Sequence, residues 1–111
     1  MNLSQLEAIK TVIASDCTAH GILCAELSDE QCIQGGLAVA AGVPLDDLRG
    51  RFILEPSEYR RIEKVFGLTS IQLDYMMHFN DSQSEIPLRR RALNIYVATL
   101  VEYPTTEAEH A

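Results

Sequence analysis

Long apolar runs are absent from this sequence. No eighteen consecutive residues are apolar, and the longest uncharged stretch, from Gln31 to Leu45, contains Gln34 and three glycines. Such a stretch is too short and too polar to cross a bilayer. The first residues also lack the basic and apolar regions of a secretory signal. We therefore expect a cytoplasmic protein that does not enter a membrane.

Cysteine is scarce and odd in number. The three cysteines, Cys17, Cys24 and Cys32, are separated by six and then seven residues. An odd number without an export signal argues against a disulfide framework, and these spacings do not match a zinc finger or a zinc ribbon. The sequence also has no phosphate-binding loop and no paired acids for catalysis. It therefore predicts no metal, no cofactor and no enzyme activity.

Basic charge is in deficit, because 16 acidic residues outweigh 9 basic ones for a net charge of −7. Residues 1–50 contribute −5 of this total, since they hold seven acids and only two bases. A negative surface repels phosphate, so nonspecific binding of nucleic acid is disfavoured. A hydrophobic fraction of 47% nevertheless provides enough material for one globular core in 111 residues.

Apolar residues recur at helical spacing through the first half of the chain. Ser4 and Glu7 have the spacing of a capping box before the first apolar stripe. A second, short helix is predicted over 18–26. Ser28 and Gln31 form another capping pair before a helix over 29–41. Small residues line that helix, and we interpret it as a buried central helix that another helix approaches closely: Gly35, Gly36, Ala38, Ala40 and Ala41.

Proline, glycine and threonine mark the helices of the second half. Pro56 is suited to the first position of a helix that ends at Gly67. Thr69 is suited to cap the next helix, and Pro87 opens the last one, over 88–103. Residues 44–55 fit either a single helical turn or a short extended piece. We predict an all-α fold, a single-domain orthogonal bundle of five to six short helices over 1–103, followed by a disordered acidic tail over 104–111.

The helix pair around Gly67 resembles a helix-turn-helix, with helices over about 56–66 and 70–79. A DNA-reading motif of this kind presents polar residues from its second helix. The candidates for base contact are Ser70, Gln72, Tyr75 and His78. The candidates for phosphate contact are Arg60, Arg61, Arg89, Arg90 and Arg91. Glu63 in the packing position before the turn and Asp74 on the reading face argue against DNA.

Thiol chemistry is a third hypothesis. Cys32 falls in the first turn of the helix predicted over 29–41, where the helix dipole favours a thiolate. His78, Asn80 and Asp81 are close in sequence and could complete a cysteine enzyme, or Cys32 could act as a thiol switch. No nucleophile signature surrounds Cys32, and two neighbouring acids oppose a thiolate. Cys17, His20 and Cys24 would share one helix face, for which a place in the core is the preferred interpretation.

Several short motifs resemble a pattern found in small bacterial and phage proteins. The matching residues are the run Cys32-Ile33-Gln34-Gly35-Gly36-Leu37-Ala38-Val39-Ala40-Ala41-Gly42, then Phe66-Gly67-Leu68, and finally Asn80-Asp81. The pattern is a Cys-x-x-Gly-small-Leu helix with an Ala-Ala-Gly end and an Asn-Asp pair before a last helix, and the resemblance covers 32–81. It implies a helical fold and a bacterial or phage origin, but no activity.

The sequence favours an interaction or regulatory protein that acts by binding another protein, such as an inhibitor of phage type. DNA binding through the helix-turn-helix is the alternative. The residues predicted to contact the partner are Gln72, Tyr75, His78, Arg89 and Arg90. A homodimer could form through exposed members of an adaptable apolar set: Leu73, Met76, Met77 and Phe79.

Overall fold

The computed structural model describes residues 1–101 as five α-helices and one 3-10 turn, which confirms the all-α prediction. The helices are α1 (Leu3–Ser15), α2 (Ile33–Ala40), α3 (Pro56–Phe66), α4 (Ser70–Ser82) and α5 (Ile86–Ala98). A 3-10 helix at Leu45–Leu48 lies between α2 and α3. No strand occurs within this part of the chain, and none of its helices is long and apolar enough to cross a membrane. The predicted tail, 104–111, lies outside the described residues.

Helix α2 lies at the centre of the bundle, as its small residues predicted. It packs against α1, α3 and α4, while α5 packs against α1 and α4. Six of the eight residues of α2 are buried. The largest side chains of the shared core come from every helix, and they include Ile9, Ile13, Leu37, Ile62, Leu73, Met76, Leu93 and Val97.

The boundaries of α3 and the start of α4 agree with the sequence prediction, whereas the last helix, predicted over 88–103, begins at Ile86 and ends at Ala98. Pro56 occupies the first turn of α3, and Gly67 ends it with a left-handed φ of 72°. Thr69 caps α4 through its hydroxyl, which accepts a hydrogen bond from the Gln72 N–H at 3.2 Å. In the first half, however, α1 is capped by Asn2 with Gln5 and not by Ser4 with Glu7.

The segment between α1 and α2 is not helical, so the predictions of a helix over 18–26 and of a start at residue 29 are wrong. Cys17 and Gly21 both have a φ of 69°, which breaks any helix there. The backbone instead pairs with distant backbone groups, as when the Leu23 N–H donates to the Arg51 carbonyl at 2.8 Å. Helix α2 begins only after Cys32, whose Sγ accepts a hydrogen bond from the Gly35 N–H at 3.4 Å.

Close packing against this irregular segment explains the glycine pair in α2. A Cβ on Gly35 would overlap the backbone carbonyl of Leu23, and a Cβ on Gly36 would lie 2.6 Å from the Asp16 carboxylate. The close neighbour of the small-residue helix is therefore a loop backbone and not the second helix that we expected. The segment 16–32 can approach the bundle only because these two positions have no side chain.

The Asn80-Asp81 pair of α4 holds the same segment by hydrogen bonds. The buried Asn80 amide accepts from the Ile33 N–H at 3.0 Å and donates to the Ala19 carbonyl at 3.1 Å. The Asp81 carboxylate accepts from the Gly21 N–H at 2.9 Å. One end of α4 therefore fixes both the start of α2 and the loop before it.

Residues 49–55 adopt an irregular path that a salt bridge fixes to α3. Arg51 binds the buried Glu58 with one Nη2–Oε1 distance of 2.7 Å, and its second nitrogen also reaches that carboxylate. The hydrogen bond from Arg51 lowers the pKa of Glu58. Phe52 and Ile53 follow immediately and extend into solvent.

Replacing Gly35 with alanine should destabilise the protein by about 3 kcal/mol or more, because the new Cβ meets backbone that has no room to move. Urea unfolding measures the loss. The comparison is Gly36→Ala, where the new Cβ meets side-chain atoms of Asp16 only, Oδ2 at 2.6 Å and Cβ at 2.9 Å. Relief there requires a small shift of one loop residue, and alanine gains about 1 kcal/mol of helix propensity, so the loss should be smaller than for Gly35→Ala. Equal stability of the two variants would contradict this account of the packing.

Replacing Asn80 with alanine should cost about 2–3 kcal/mol, because it leaves the buried Ile33 N–H without a partner and removes one of the two hydrogen bonds that the Ala19 carbonyl accepts. Asn94→Ala is the matched control. Asn94 Oδ1 is buried without a hydrogen-bond partner among residues 1–101, so its removal should cost about 1 kcal/mol or less. A similar loss in both variants, measured by thermal unfolding, would show that the Asn80 hydrogen bonds contribute little.

Candidate functional site

The five residues predicted to contact a partner do not form one surface. Tyr75 and His78 are exposed on the outward side of α4. Gln72 is half-buried at the start of that helix, where its Oε1 accepts a hydrogen bond from the Thr69 N–H at 3.0 Å. Arg89 and Arg90 lie at the other end of the α4–α5 pair and bind the loop after α1.

Arg89 is a buried residue with only 3% of its surface exposed. Its Nη1 donates to the carbonyl oxygens of Cys17, at 2.6 Å, and Ala19, at 3.2 Å. Its Nε donates to the Gln83 carbonyl at 3.0 Å. The guanidinium therefore holds the left-handed turn at Cys17, and the anionic partner expected for it is replaced by backbone carbonyls.

Arg90 has a similar but more exposed role. Its Nη2 donates to the Asp16 carbonyl at 3.0 Å, and the side chain is half-buried. Arg91 is the exposed member of the arginine triplet. The three consecutive arginines thus divide between the loop after α1 and solvent, as their spacing of about 100° around a helix requires.

The outward side of α4 carries a shallow groove of about 420 Å³, lined by Ile71, Asp74, Tyr75 and His78. These residues have the i, i+3, i+4 and i+7 spacing of one helix face. Ile71 is 67% exposed and Tyr75 is 56% exposed. Tyr75 also packs near Tyr96 of α5, with 6.2 Å between the ring centroids.

A second groove, of about 500 Å³, lies on the other side of the same helix face. Asp74 and His78 line this groove as well, together with Gln34, Phe52, Ile53, Tyr59, Met77 and Asp81. Phe52 is 67% exposed and Ile53 is 72% exposed, which is unusual for adjacent large apolar side chains. We refer to Phe52, Ile53, Ile71, Asp74, Tyr75 and His78 together as the α4 surface.

Asp74 occupies the ridge between the two grooves and is held in place by hydrogen bonds. The Tyr59 hydroxyl donates to Asp74 Oδ1 at 2.9 Å, and the Gln34 amide donates to the same oxygen at 3.4 Å. Burial and the nearby Asp74 raise the pKa of Tyr59 to about 12, so its hydroxyl remains protonated and continues to donate at neutral pH. The carboxylate therefore has a fixed position in the middle of the surface.

The helix pair that resembled a helix-turn-helix is present as α3 and α4, joined by 67–69. The outward face of its second helix is mostly apolar and has a carboxylate at its centre, since Ile71 and Tyr75 lie beside Asp74. Neither groove of the α4 surface is lined by lysine or arginine among the described residues. Phosphate would meet negative charge on this face.

The methionine-rich set proposed for a homodimer is mostly internal. Leu73 and Met76 are completely buried, so neither is among the exposed members of this set. Met77 and Phe79 are half-buried, and Met77 lines the second groove. Of this set, Met77 is the member that belongs to a candidate site.

The three cysteines are all free and buried. Burial raises the pKa of the Cys32 thiol from 9.0 to about 11, even though the Gly35 N–H donates to its sulfur. Burial also raises the pKa of Cys17, to about 12. This environment favours the protonated thiol. Within residues 1–101, no three metal-ligating side chains come together in positions that could hold an ion.

Sequence reasoning missed Phe52 and Ile53, which supply half of the exposed apolar side chains on the α4 surface. Their segment gave no helical or alternating pattern, so its exposure was not predictable. The available signal was the apolar run Phe52-Ile53-Leu54, placed between Arg51 and Glu55 and outside any periodic stripe.

Comparisons of the chain with protein-family models, with curated proteins and with solved structures found no match. The candidate site is therefore defined by the geometry of this chain and not by similarity to another protein.

Cys32 should react slowly with a thiol reagent in the native protein. At pH 8, a pKa of about 11 against the ordinary 9.0 reduces the thiolate fraction about 100-fold, and burial slows the reaction further. Alkylation by iodoacetamide with and without urea, resolved by peptide mass spectrometry, measures the ratio. Comparable rates in the two states would contradict the burial and would support the thiol hypothesis.

Proposed function

We propose that this protein acts by binding another protein through the α4 surface. The observation that carries the proposal is the exposure of four large apolar side chains around two adjoining grooves: Phe52, Ile53, Ile71 and Tyr75. Contiguous exposed apolar groups rimmed by polar ones are characteristic of protein interfaces. Aromatic side chains contribute much of the binding energy in such interfaces.

The rigidity of the surface supports the same function. Helix α4 has a capping box at its start, and its opposite face is anchored in the core by Leu73 and Met76. The loop that carries Phe52 is held by the salt bridge between Arg51 and Glu58. A surface that is already ordered loses less conformational entropy on binding, so more of the contact energy appears as affinity.

The proposal includes a regulatory role in the cytoplasm, in which the bound surface of the partner is blocked. An excess of acid over base, with a net charge of −7, is suited to covering a basic surface of another protein. DNA reading by α4 has less support, because the exposed face has apolar side chains and a carboxylate where a DNA-binding helix presents donors. We propose no catalytic role.

Photo-crosslinking tests the proposed surface. A benzoylphenylalanine in place of Tyr75 or Phe52 should crosslink to the same protein in lysate of the source organism, because both positions contact one partner. The substitution retains an aromatic ring at an exposed site, so folding should be preserved. Gel shifts and mass spectrometry identify the product.

The control is benzoylphenylalanine at Leu27, which is 100% exposed but lies outside the α4 surface. A partner captured from positions 52 and 75 but not from 27 supports the proposal. Equal capture from all three positions, or capture from neither 52 nor 75, contradicts it. A product that disappears after nuclease treatment would favour the DNA alternative instead.

A further inference from the structure

The two carboxylates that line the second groove are not paired with a cation. The salt bridges within residues 1–101 involve Lys10, Arg49 and Arg51, and none involves Asp74 or Asp81. The Asp81 carboxylate is occupied by the Gly21 N–H and the Asn80 amide. Asp74 accepts only neutral donors, on Oδ1, from Tyr59 and Gln34. The groove therefore has negative charge that the described chain leaves uncompensated.

A buried polar side chain contributes to the lining of the second groove. Gln34 is 3% exposed and lines the groove, and its amide nitrogen donates to the Leu73 carbonyl at 2.9 Å. The walls above it are apolar or aromatic, from Phe52, Ile53 and Met77. This combination suits a side chain with an apolar stem and a charged, flat head, because the stem can lie on the walls while the head meets the carboxylate.

We propose that the second groove of the α4 surface receives an arginine side chain of the partner protein, flanked in the partner by apolar residues. The guanidinium binds Asp74 and stacks near Phe52, and a flanking apolar residue occupies the first groove beside Ile71 and Tyr75. This inference rests on the proposed function and specifies the chemistry of the partner. Arginine suits the groove better than lysine because its planar head stacks on aromatic rings and is weakly hydrated.

Charge also excludes the competing occupants. A second copy of the chain bound face to face would bring Asp74 of both copies into one interface, since a two-fold contact pairs the same patch with itself. Like charges at that position repel. A phosphate backbone would be repelled by the same carboxylate. A basic segment of a different protein would instead bring a cation to the uncompensated carboxylate of the groove.

Titration of the isotope-labelled chain with model peptides tests the proposal. The probes are acetyl-Ala-Leu-Arg-Leu-Ala-amide and the same peptide with citrulline, a neutral isostere, in place of arginine. The arginine peptide should shift the amide signals of Phe52, Ile53, Asp74 and His78. It should bind about two- to fivefold more tightly than the citrulline peptide at low salt, the range given by an exposed ion pair.

Asp74→Asn is the decisive variant, because asparagine retains an oxygen for the Tyr59 hydroxyl but removes the charge. The variant should bind both peptides with the same affinity. Glu30→Gln removes one exposed charge elsewhere and should leave the preference for arginine unchanged. If Asp74→Asn fails to fold, the salt dependence of peptide binding is measured with the unsubstituted chain instead. In that case 0.5 M NaCl should abolish the preference for the arginine peptide over the citrulline peptide.

Equal binding of the two peptides by the natural chain would overturn the arginine inference, as would a preference that survives in Asp74→Asn. Shifts confined to residues outside the α4 surface would overturn it as well. These failures are distinguishable from failure of the proposed function. If positions 52 and 75 still crosslink to one protein, the surface binds a partner whose recognition does not depend on arginine.

Discussion

The hydrogen bonds of the Asn80 side chain are the interaction on which the rest of the structure depends. Its amide joins three parts of the chain that are distant in sequence, since it bonds to Ala19 and Ile33 from within α4. A buried amide of this kind is costly unless its hydrogen bonds are made. The segment between α1 and α2 has little regular structure of its own, so its path is fixed largely by what Asn80, Asp81 and Arg89 bind.

The same arrangement explains why α2 has so little side-chain bulk. The loop backbone must come close enough to reach Asn80, and Gly35 allows this approach. The Cys-x-x-Gly and Asn-Asp motifs singled out in the sequence are therefore two sides of one contact. Cys32 caps α2 through its sulfur while Asn80 accepts a hydrogen bond from the next N–H along the chain.

The elements that were predictable from sequence are those fixed by local chemistry. Pro56, Gly67 and Thr69 determine helix ends through their own backbone and side-chain preferences, and the structure agrees with them. The path of 16–32 depends on hydrogen bonds to residues 60 or more positions away, such as Gly21 to Asp81, and no local pattern encodes these. The capping pair at Ser28 failed for a local reason, because the Ala25 N–H donates to the Glu30 carbonyl at 2.9 Å and this turn takes the place of the first helical turn.

The candidate site was predictable in part for a related reason. Tyr75 and His78 could be assigned to a helix face by spacing alone, and they are exposed as expected. Arg89 has the sequence features of a surface cation, and only the three-dimensional fold shows that carbonyl oxygens surround it. The exposure of Phe52 likewise follows from the position of Arg51 against α3, which is a tertiary contact.

Because Asp74 and His78 line both grooves, the two cavities share a wall. A single ligand that spans this wall would form its second contact within an existing complex, so two weak contacts would together give a higher affinity than either alone. The narrow ridge of α4 thus sets the spacing that such a two-pronged ligand must have.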